Sequence, residues 1–335
     1  MANELIDNAL LLNIKDLIDD ARRKVSSSIN TIMIEAYWEI GRLIVEEEQK
    51  GSVRAVYGDS LLLKLSKELS YIYGRGFSRS NLQSMRLLYL KYEKCQTLSG
   101  KLSWSHYLHL LQITDDNERS FYEKECINSN WSVRELKRQI NSALYQRLLL
   151  SRGKENKDIV MSLAKKGVTY ANPIDVIKDP MVLDFIGKAE HKPRIESELE
   201  LGILSHLKEF LLELGRGFMF VTSQYRISIA GKNYYVDLVF YNKLLKSYVL
   251  IDLKINGFEP ENLGQMNLYI NYFKKEVNED DDNKPIGIIL CSEKDGAIVE
   301  YTIDGVENNI YPAKYTYIMP SKKELEDEIN KYLGK

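Results

Sequence analysis

The sequence predicts an α+β protein with two domains: an all-α N-terminal domain, residues 1–150, and an α/β domain with a mixed central sheet, residues 191–335. Three observations carry this. Apolar residues recur every three and four positions through the N-terminal domain, the spacing of amphipathic helices. From Phe218 the spacing falls to two, the spacing of strands. Between the domains, Ser151 to Asp158 is polar and charged, and Pro173, Pro180 and Pro193 interrupt the stretch beyond it. Residues 151–190 therefore read as a linker and irregular segment with one short helix.

The first predicted helix runs from Leu5 to Gln49 on a stripe that includes Leu17, Val25, Ile29, Ile32, Trp38 and Ile44, with Gly51 and Gly58 punctuating its end. A second spans Ser60 to Tyr73 and stops at Gly74-Arg75-Gly76, where glycine suits a helix C-terminus. Ser78 is a fitting N-cap for a third, Arg79 to Tyr92, and Ser103 or Ser105, Asp115 or Asp116, and Ser132 start three more. The C-terminal domain is expected to open with a helix over Glu196–Leu214, on the stripe Leu199, Ile203, Leu207, Leu211 and Leu214. Strands come next at Phe218–Ile229, Tyr234–Tyr241 and Tyr248–Lys254, then a helix at Glu261–Lys275. Ile286–Cys291 is wholly apolar, as a strand covered on both faces should be. Lys314–Met319 and Lys322–Leu333 read as a last strand and a closing helix. Short turns make the first three strands antiparallel, and the helical crossover allows the fourth to pair in parallel.

Bulk properties exclude several classes. A chain of 335 residues with 44% hydrophobic and 28% charged residues is ordinary for a globular protein of two domains. The net charge of −2 gives no global basic signature, although residues 51–100 carry 8 Lys/Arg against 3 Asp/Glu and residues 251–300 carry 5 against 11. Cys95, Cys126 and Cys291 form no CxxC pair, so neither a zinc site nor a disulfide framework is expected, and a reducing compartment fits. Met1 to Asp20 carries Glu4, Asp7, Asp16, Asp19 and Asp20, unlike a signal or transit peptide. No apolar run approaches a membrane span, so a cytoplasmic protein without membrane contact is expected. Four scattered histidines offer neither a triad nor metal-binding spacing.

The chemistry is concentrated in two acids that strands rarely carry. Asp237 interrupts Tyr-Tyr-Val-Asp-Leu-Val-Phe, and Asp252 interrupts Tyr-Val-Leu-Ile-Asp-Leu-Lys. Lys254, two residues after Asp252, projects from the same face of its strand. The connection between the strands is short, so Asp237 can lie beside Asp252 if their faces agree. Two converging carboxylates repel unless a cation joins them, and hard oxygen ligands suit Mg2+. A bound metal can activate water and stabilise a phosphoryl oxygen, and Lys254 could orient that water or neutralise the phosphate. An ordinary ion pair at a sheet edge explains the same spacing. Glu200 sits on the apolar stripe of its helix and needs a partner there, or is a helix-entry acid favoured by the dipole. Gln265 is on the helix after Lys254, near Asn262, Tyr269 and Tyr272.

In the helical domain, Gly74-Arg75-Gly76-Phe77-Ser78-Arg79-Ser80-Asn81 precedes a helix with Gln83, Arg86 and Tyr89. Helix, glycine turn and capped polar helix are compatible with a helix-turn-helix-like unit facing DNA. Arg75, Arg79 and Arg86 would hold phosphates, while Asn81 and Gln83 could meet bases. Arg134, Lys137 and Arg138 form a second basic candidate. A solvated surface helix accounts for either group as well.

The runs Phe210-Leu-Leu-Glu-Leu-Gly-Arg-Gly-Phe218, Tyr235-Val-Asp-Leu-Val-Phe-Tyr241, Ile251-Asp-Leu-Lys254, Gly264-Gln-Met-Asn-Leu-Tyr269 and Pro285-Ile-Gly-Ile-Ile-Leu-Cys291 resemble the YhcG-type PD-(D/E)XK nuclease family. So do Tyr57-Gly-Asp59, Gly76-Phe-Ser-Arg-Ser-Asn-Leu82, Leu102-Ser-Trp-Ser-His106 and Trp131-Ser-Val-Arg-Glu-Leu136, so the resemblance covers nearly the whole chain. It implies a restriction-endonuclease-like core that hydrolyses phosphodiester bonds in DNA with Mg2+, for which Mn2+ can substitute. Under it, Asp237 and Lys254 match the family's aspartate and lysine, Asp252 the middle acid, Glu200 the acid of the first helix, and Gln265 a glutamine near the site. Asp237, Asp252 and Glu200 would be the metal ligands. Val236 replaces the proline of the superfamily's name, and Asp252 is one methylene shorter than the more usual glutamate. Defence against foreign DNA, recombination and repair are the roles such a nuclease serves. One active site per chain is compatible with a homodimer or higher homo-oligomer. Two rivals are a non-catalytic DNA-binding or assembly protein on the same fold, and an RNA-directed nuclease.

Overall fold

The computed structural model describes residues 8–50, 54–92, 98–151, 157–186, 193–295, 298–299, 302 and 308–332. The expected features at Leu5, Gly51, Cys95, residues 152–156 and residues 187–192 lie outside them. Two compact units divide the chain, Met1–Leu136 and Lys137–Lys335.

The first unit is helical: α1 (Asn8–Lys50), α2 (Arg54–Tyr73), α3 (Arg79–Lys91), α4 (Trp104–Leu110), α5 (Asp116–Ser129) and the start of α6 (Val133–Asn141). Gly58 lies inside α2 rather than before it. The capping residues act as their chemistry suggests. Ser78 Oγ accepts from Asn81 N at 3.3 Å, Asp115 from Glu118 N at 2.7 Å, and Ser132 from Glu135 N at 3.2 Å. Ser103 and His106 close a reciprocal capping box on α4. One face of α1 buries Ile34, Trp38, Ile44 and Val45, and α3 buries Leu82, Met85 and Leu88. Gly41 lets the two helices touch: a Cβ there would collide with the Met85 carbonyl oxygen.

The second unit continues with α7 (Leu144–Ser151), α8 (Lys157–Lys166) and a short 3-10 turn at Pro173–Val176. Then come β1 (Met181–Val182), α9 (Glu196–Ser205), α10 (Leu207–Leu214), β2 (Phe218–Ile229), β3 (Lys232–Asn242), β4 (Ser247–Gly257), α11 (Pro260–Glu276), β5 (Ile286–Glu293), β6 (Asn309–Thr316) and α12 (Lys322–Tyr332). The six strands form one mixed sheet in the order β1-β6-β5-β4-β3-β2. Pairing is antiparallel across β2–β3–β4 and parallel across β4–β5–β6–β1. Helices cover both faces. Leu199, Ile203, Phe210 and Leu214 of α9 and α10 pack on Leu238, Phe240, Val249, Ile251 and Leu253. Met266, Tyr269, Ile270 and Phe273 of α11 pack on Val236, Val239, Leu250 and Ile289. Burial on both sides is why β5 is apolar throughout.

Three expectations need correction. The stretch expected as a linker, residues 151–190, supplies α8, the edge strand β1 and the core residues Val176, Ile177, Met181, Leu183 and Ile186. Its prolines hid this, because two paired residues are too short for a periodic signal. The single helix over 196–214 is two, separated at His206. With its proton on Nδ1, His206 donates to the Gly202 carbonyl at 3.0 Å, the acceptor a continuing helix would give to the backbone. The last strand is Asn309–Thr316, beginning five residues and ending three residues earlier than predicted, and it contains Pro312. Among the described residues β1 pairs with β6 only at Tyr315 and Thr316, so Pro312 lies outside the β1 ladder and its missing N–H breaks no strand pairing on that side.

Buried Cys126 and Cys291 are free thiols. Among the described residues, no helix is long and apolar enough to cross a membrane.

Candidate active site

The site forms where β3 and β4 stop pairing. Their last paired residues are Leu238 and Ile251, so Asp237 and Asp252 occupy the next step. There β3 also changes face. Leu238 packs toward α9 and α10, whereas Val236, two residues away, packs toward α11. A regular strand would place both on one side. The backbone hydrogen bond of the missing step is replaced: Leu253 N donates to Asp237 Oδ2 at 2.8 Å. Asp252, Leu253 and Lys254 pair on their other edge with Ile289, Leu290 and Cys291 of β5, which holds that strand in place while β3 leaves it.

Asp252 is 1% exposed, and its Oδ2 lies 2.9 Å from Lys254 Nζ. The contact is an ion pair, but this oxygen has no aligned hydrogen-bond donor. Lys254 Nζ also lies 3.8 Å from Glu196 Oε2. Burial pushes the Asp252 carboxyl up to about 6, with Lys254 pulling it down and Asp237 and Glu196 pushing it further up. Burial likewise raises Asp237, against the Leu253 N–H and Lys254. Burial alone would lower Lys254, but Asp252, then Glu196 and Asp237, outweigh it, so the ammonium is held charged.

Glu200, on α9, reaches the same place through a residue that the sequence did not single out. Gln224 Nε2 donates to Glu200 Oε2 at 2.7 Å and to Asp237 Oδ1 at 3.1 Å. Glu200 is raised by burial and by Asp237, and eased by Gln224. Gln265 stands one hydrogen bond further off. Its Nε2 donates to the Tyr269 hydroxyl at 2.5 Å, and that hydroxyl donates to Tyr235 O at 2.8 Å. Burial, and then the negative charge of Asp252 and Asp237, push Tyr269 up to about 12. The structure therefore gathers Asp237, Asp252, Lys254 and Glu200, adds Glu196 and Gln224, and keeps Gln265 behind Tyr269. Glu196 was legible as the acid one helical turn before Glu200. Gln224 was marked only by the polar run Thr222-Ser223-Gln224 within an otherwise apolar-alternating strand.

Among the described residues no three acidic, histidine or cysteine side chains form a ready-made metal cage. Mg2+ is usually held by one or two carboxylates, retained waters and substrate phosphates. Asp237 and Asp252, side by side on adjacent strands, fit such an ion.

The basic residues expected to meet nucleic acid divide in two. Asn81 is spent internally: its Nδ2 donates to Gly76 O at 2.5 Å and its Oδ1 accepts from Trp104 Nε1 at 2.8 Å. Arg86 pairs with Glu48 at 2.6 Å, and Gln83 is half-buried. Arg138 bonds Asp184 at 3.0 Å and Glu213 at 3.3 Å. Asn81, Arg86 and Arg138 thus already have partners within the protein. Arg75, Arg79, Arg134 and Lys137 are exposed.

A mixed sheet flanked by helices on both faces, with an Asp-Leu-Lys strand at its centre, defines a restriction-endonuclease-like core of the PD-(D/E)XK class. A model of the YhcG PDDEXK nuclease domain matches residues 174–330, and a model of the DUF1016 N-terminal domain matches residues 13–147. The chain is 38% identical to the Escherichia coli (strain K12) protein named "Putative nuclease YhcG", over 93% of this chain and 91% of that one. The chain belongs to the YhcG family of PDDEXK nucleases. Two solved structures align over smaller stretches. A repair endonuclease from Pyrococcus abyssi is 18% identical over 37% of this chain and 49% of its own, with a TM-score of 0.26. EndoMS in apo form is 16% identical over 39% of this chain and 49% of its own, with a TM-score of 0.27. Likeness at that level carries no weight.

Proposed function

We propose that this nuclease is a divalent-metal-dependent endonuclease that hydrolyses phosphodiester bonds in DNA, with Asp237, Asp252 and Glu200 as metal ligands. One observation carries the reading: at the step where β3 and β4 separate, the buried carboxylate of Asp252, the half-buried one of Asp237 and a charged lysine converge. A bound Mg2+ or Mn2+ would supply a polarised phosphoryl oxygen and an activated water. Asp237 and Asp252 bind from adjacent strands, and the Leu253 N–H fixes the orientation of Asp237. Lys254, tethered to Asp252, presents its ammonium to the scissile phosphate or to the attacking water. Gln265 supports the site through Tyr269. The helical unit Met1–Leu136 serves as the nucleic-acid- or partner-binding half, with Arg75, Arg79 and Arg134, and Lys137 directly after it, as candidate phosphate contacts. Protection against foreign DNA, recombination and repair are the roles in view.

The test is cleavage of supercoiled and linear DNA, and of a matched RNA, with Mg2+, with EDTA, and by the Asp237→Ala and Lys254→Ala proteins. Metal-dependent cleavage of DNA that both variants lose is the expected result. Cleavage of RNA alone would change the substrate. Salt-sensitive DNA binding without cleavage would favour a non-catalytic binding protein.

A further inference from the structure

We propose that Gln224 is a positioning residue that holds Glu200 beside Asp237, so that an acid from α9 is delivered to the metal carried by the sheet. The proposal rests on the metal-dependent reading above. Glu200 and Asp237 belong to different elements and carry like charges, so nothing in their own chemistry keeps them together. The Gln224 amide has two N–H bonds, and both are spent on this pair, at 2.7 Å and 3.1 Å. A neutral donor also suits the task. Lysine or arginine would fill the place with a fixed charge and compete with an incoming cation, whereas an amide joins the acids and leaves their charge for the metal.

The backbone points the same way. Gln224 has φ 50°, the left-handed region, within a strand whose neighbours Ser223 and Tyr225 pair regularly with Leu238 and Val236. That register sets Gln224 across from Asp237. A second irregularity lies just before it, between Phe220 and Thr222. A non-glycine residue in this region is strained and persists where something else holds it. Gln224 is exposed, so core packing does not hold it; its two carboxylate bonds do.

The experiment measures Mn2+ affinity by electron paramagnetic resonance, together with the melting temperature, for the full chain and its Gln224→Gly, Gln224→Asn, Glu200→Gln and Asp237→Ala variants. Glycine removes the amide while relieving the left-handed backbone. Asparagine tolerates that backbone but falls one methylene short. Both should weaken Mn2+ binding about 10-fold, in the range found for outer-shell partners of metal ligands, with Gln224→Gly melting no lower than wild type. Combining Gln224→Gly with Glu200→Gln should weaken binding no more than Glu200→Gln alone, because the two act through one contact. Wild-type Mn2+ affinity in Gln224→Gly, or additive losses in the double variant, would overturn the proposal. Wild type that binds no better than Asp237→Ala would instead remove the metal reading itself, and this assignment with it.

Discussion

Asp237 accepts the backbone N–H of Leu253 at 2.8 Å, one step beyond the last pair of the β3–β4 ladder. A side chain thus takes over a bond that the sheet gives up. The same carboxylate closes the fold locally and offers its other oxygen to the site.

The two jobs separate by substitution. Asp237→Asn keeps an acceptor for Leu253 and should melt near wild type. Asp237→Ala strands a buried donor and should cost about 1–3 kcal/mol. Both should lose more activity than the roughly 10–100-fold typical of outer-shell changes. Paired thermal melts and cleavage rates check this, and equal melts for Asn and Ala would refute the structural half.

Asp252 trades stability for chemistry. Its carboxyl stands at about 6 in the folded protein against an ordinary 3.8. A carboxyl raised on folding favours the fold when protonated, so the metal-free protein should lose stability as pH rises from about 4 through 6. By linkage that penalty is on the order of 3 kcal/mol above pH 6. Asp252→Asn should therefore raise the melting temperature of the metal-free protein at pH 7 while abolishing Mn2+ binding. Chelator-treated samples in a pH series of melts give the measurement.

Glu213 anchors the second unit from inside. Fully buried on α10, it pairs with Arg147 at 2.6 Å and Arg138 at 3.3 Å, accepts from Val182 N at 3.1 Å, and its backbone carbonyl takes the Lys178 ammonium. Burial alone would raise it, but Arg147, Lys178 and Arg138 hold it at about 2. A depressed carboxyl stabilises the fold above its unfolded value of 4.5, and that stability is lost as pH falls toward 2. Glu213→Gln leaves buried cations uncompensated and should cost on the order of 3–5 kcal/mol. It should also flatten the acid limb of the stability curve, which urea melts between pH 2 and 7 would show.

The α1–α3 contact depends on Gly41. A methyl group added there would run into the Met85 carbonyl and force rigid backbones apart. Gly41→Ala should destabilise the helical unit by at least ~1–3 kcal/mol, despite alanine's better helix propensity. An unchanged or raised melting temperature would refute the contact.

Periodicity and misplaced charge are local signals, so the chain alone was enough to read the fold class and nearly every helix and strand, and to single out Asp237, Asp252 and Lys254, which the structure brings together. Acids inside apolar strands need no neighbours to be conspicuous. The features that had to wait for the folded molecule depend on pairing between distant segments. The separation of β3 from β4 at Asp237 is invisible in either strand alone. Gln224 became a member of the site because its register sets it across from Asp237 and α9 brings Glu200 to the same amide. Residues 173–186 looked like linker because β1 is two residues long, and its pairing with β6 exists only once the sheet is assembled. For Asn81, Arg86 and Arg138, sequence could not show the partner inside the protein, since a polar side chain does not reveal by itself what it bonds. Here it is Gly76 and Trp104, Glu48, and Asp184 with Glu213.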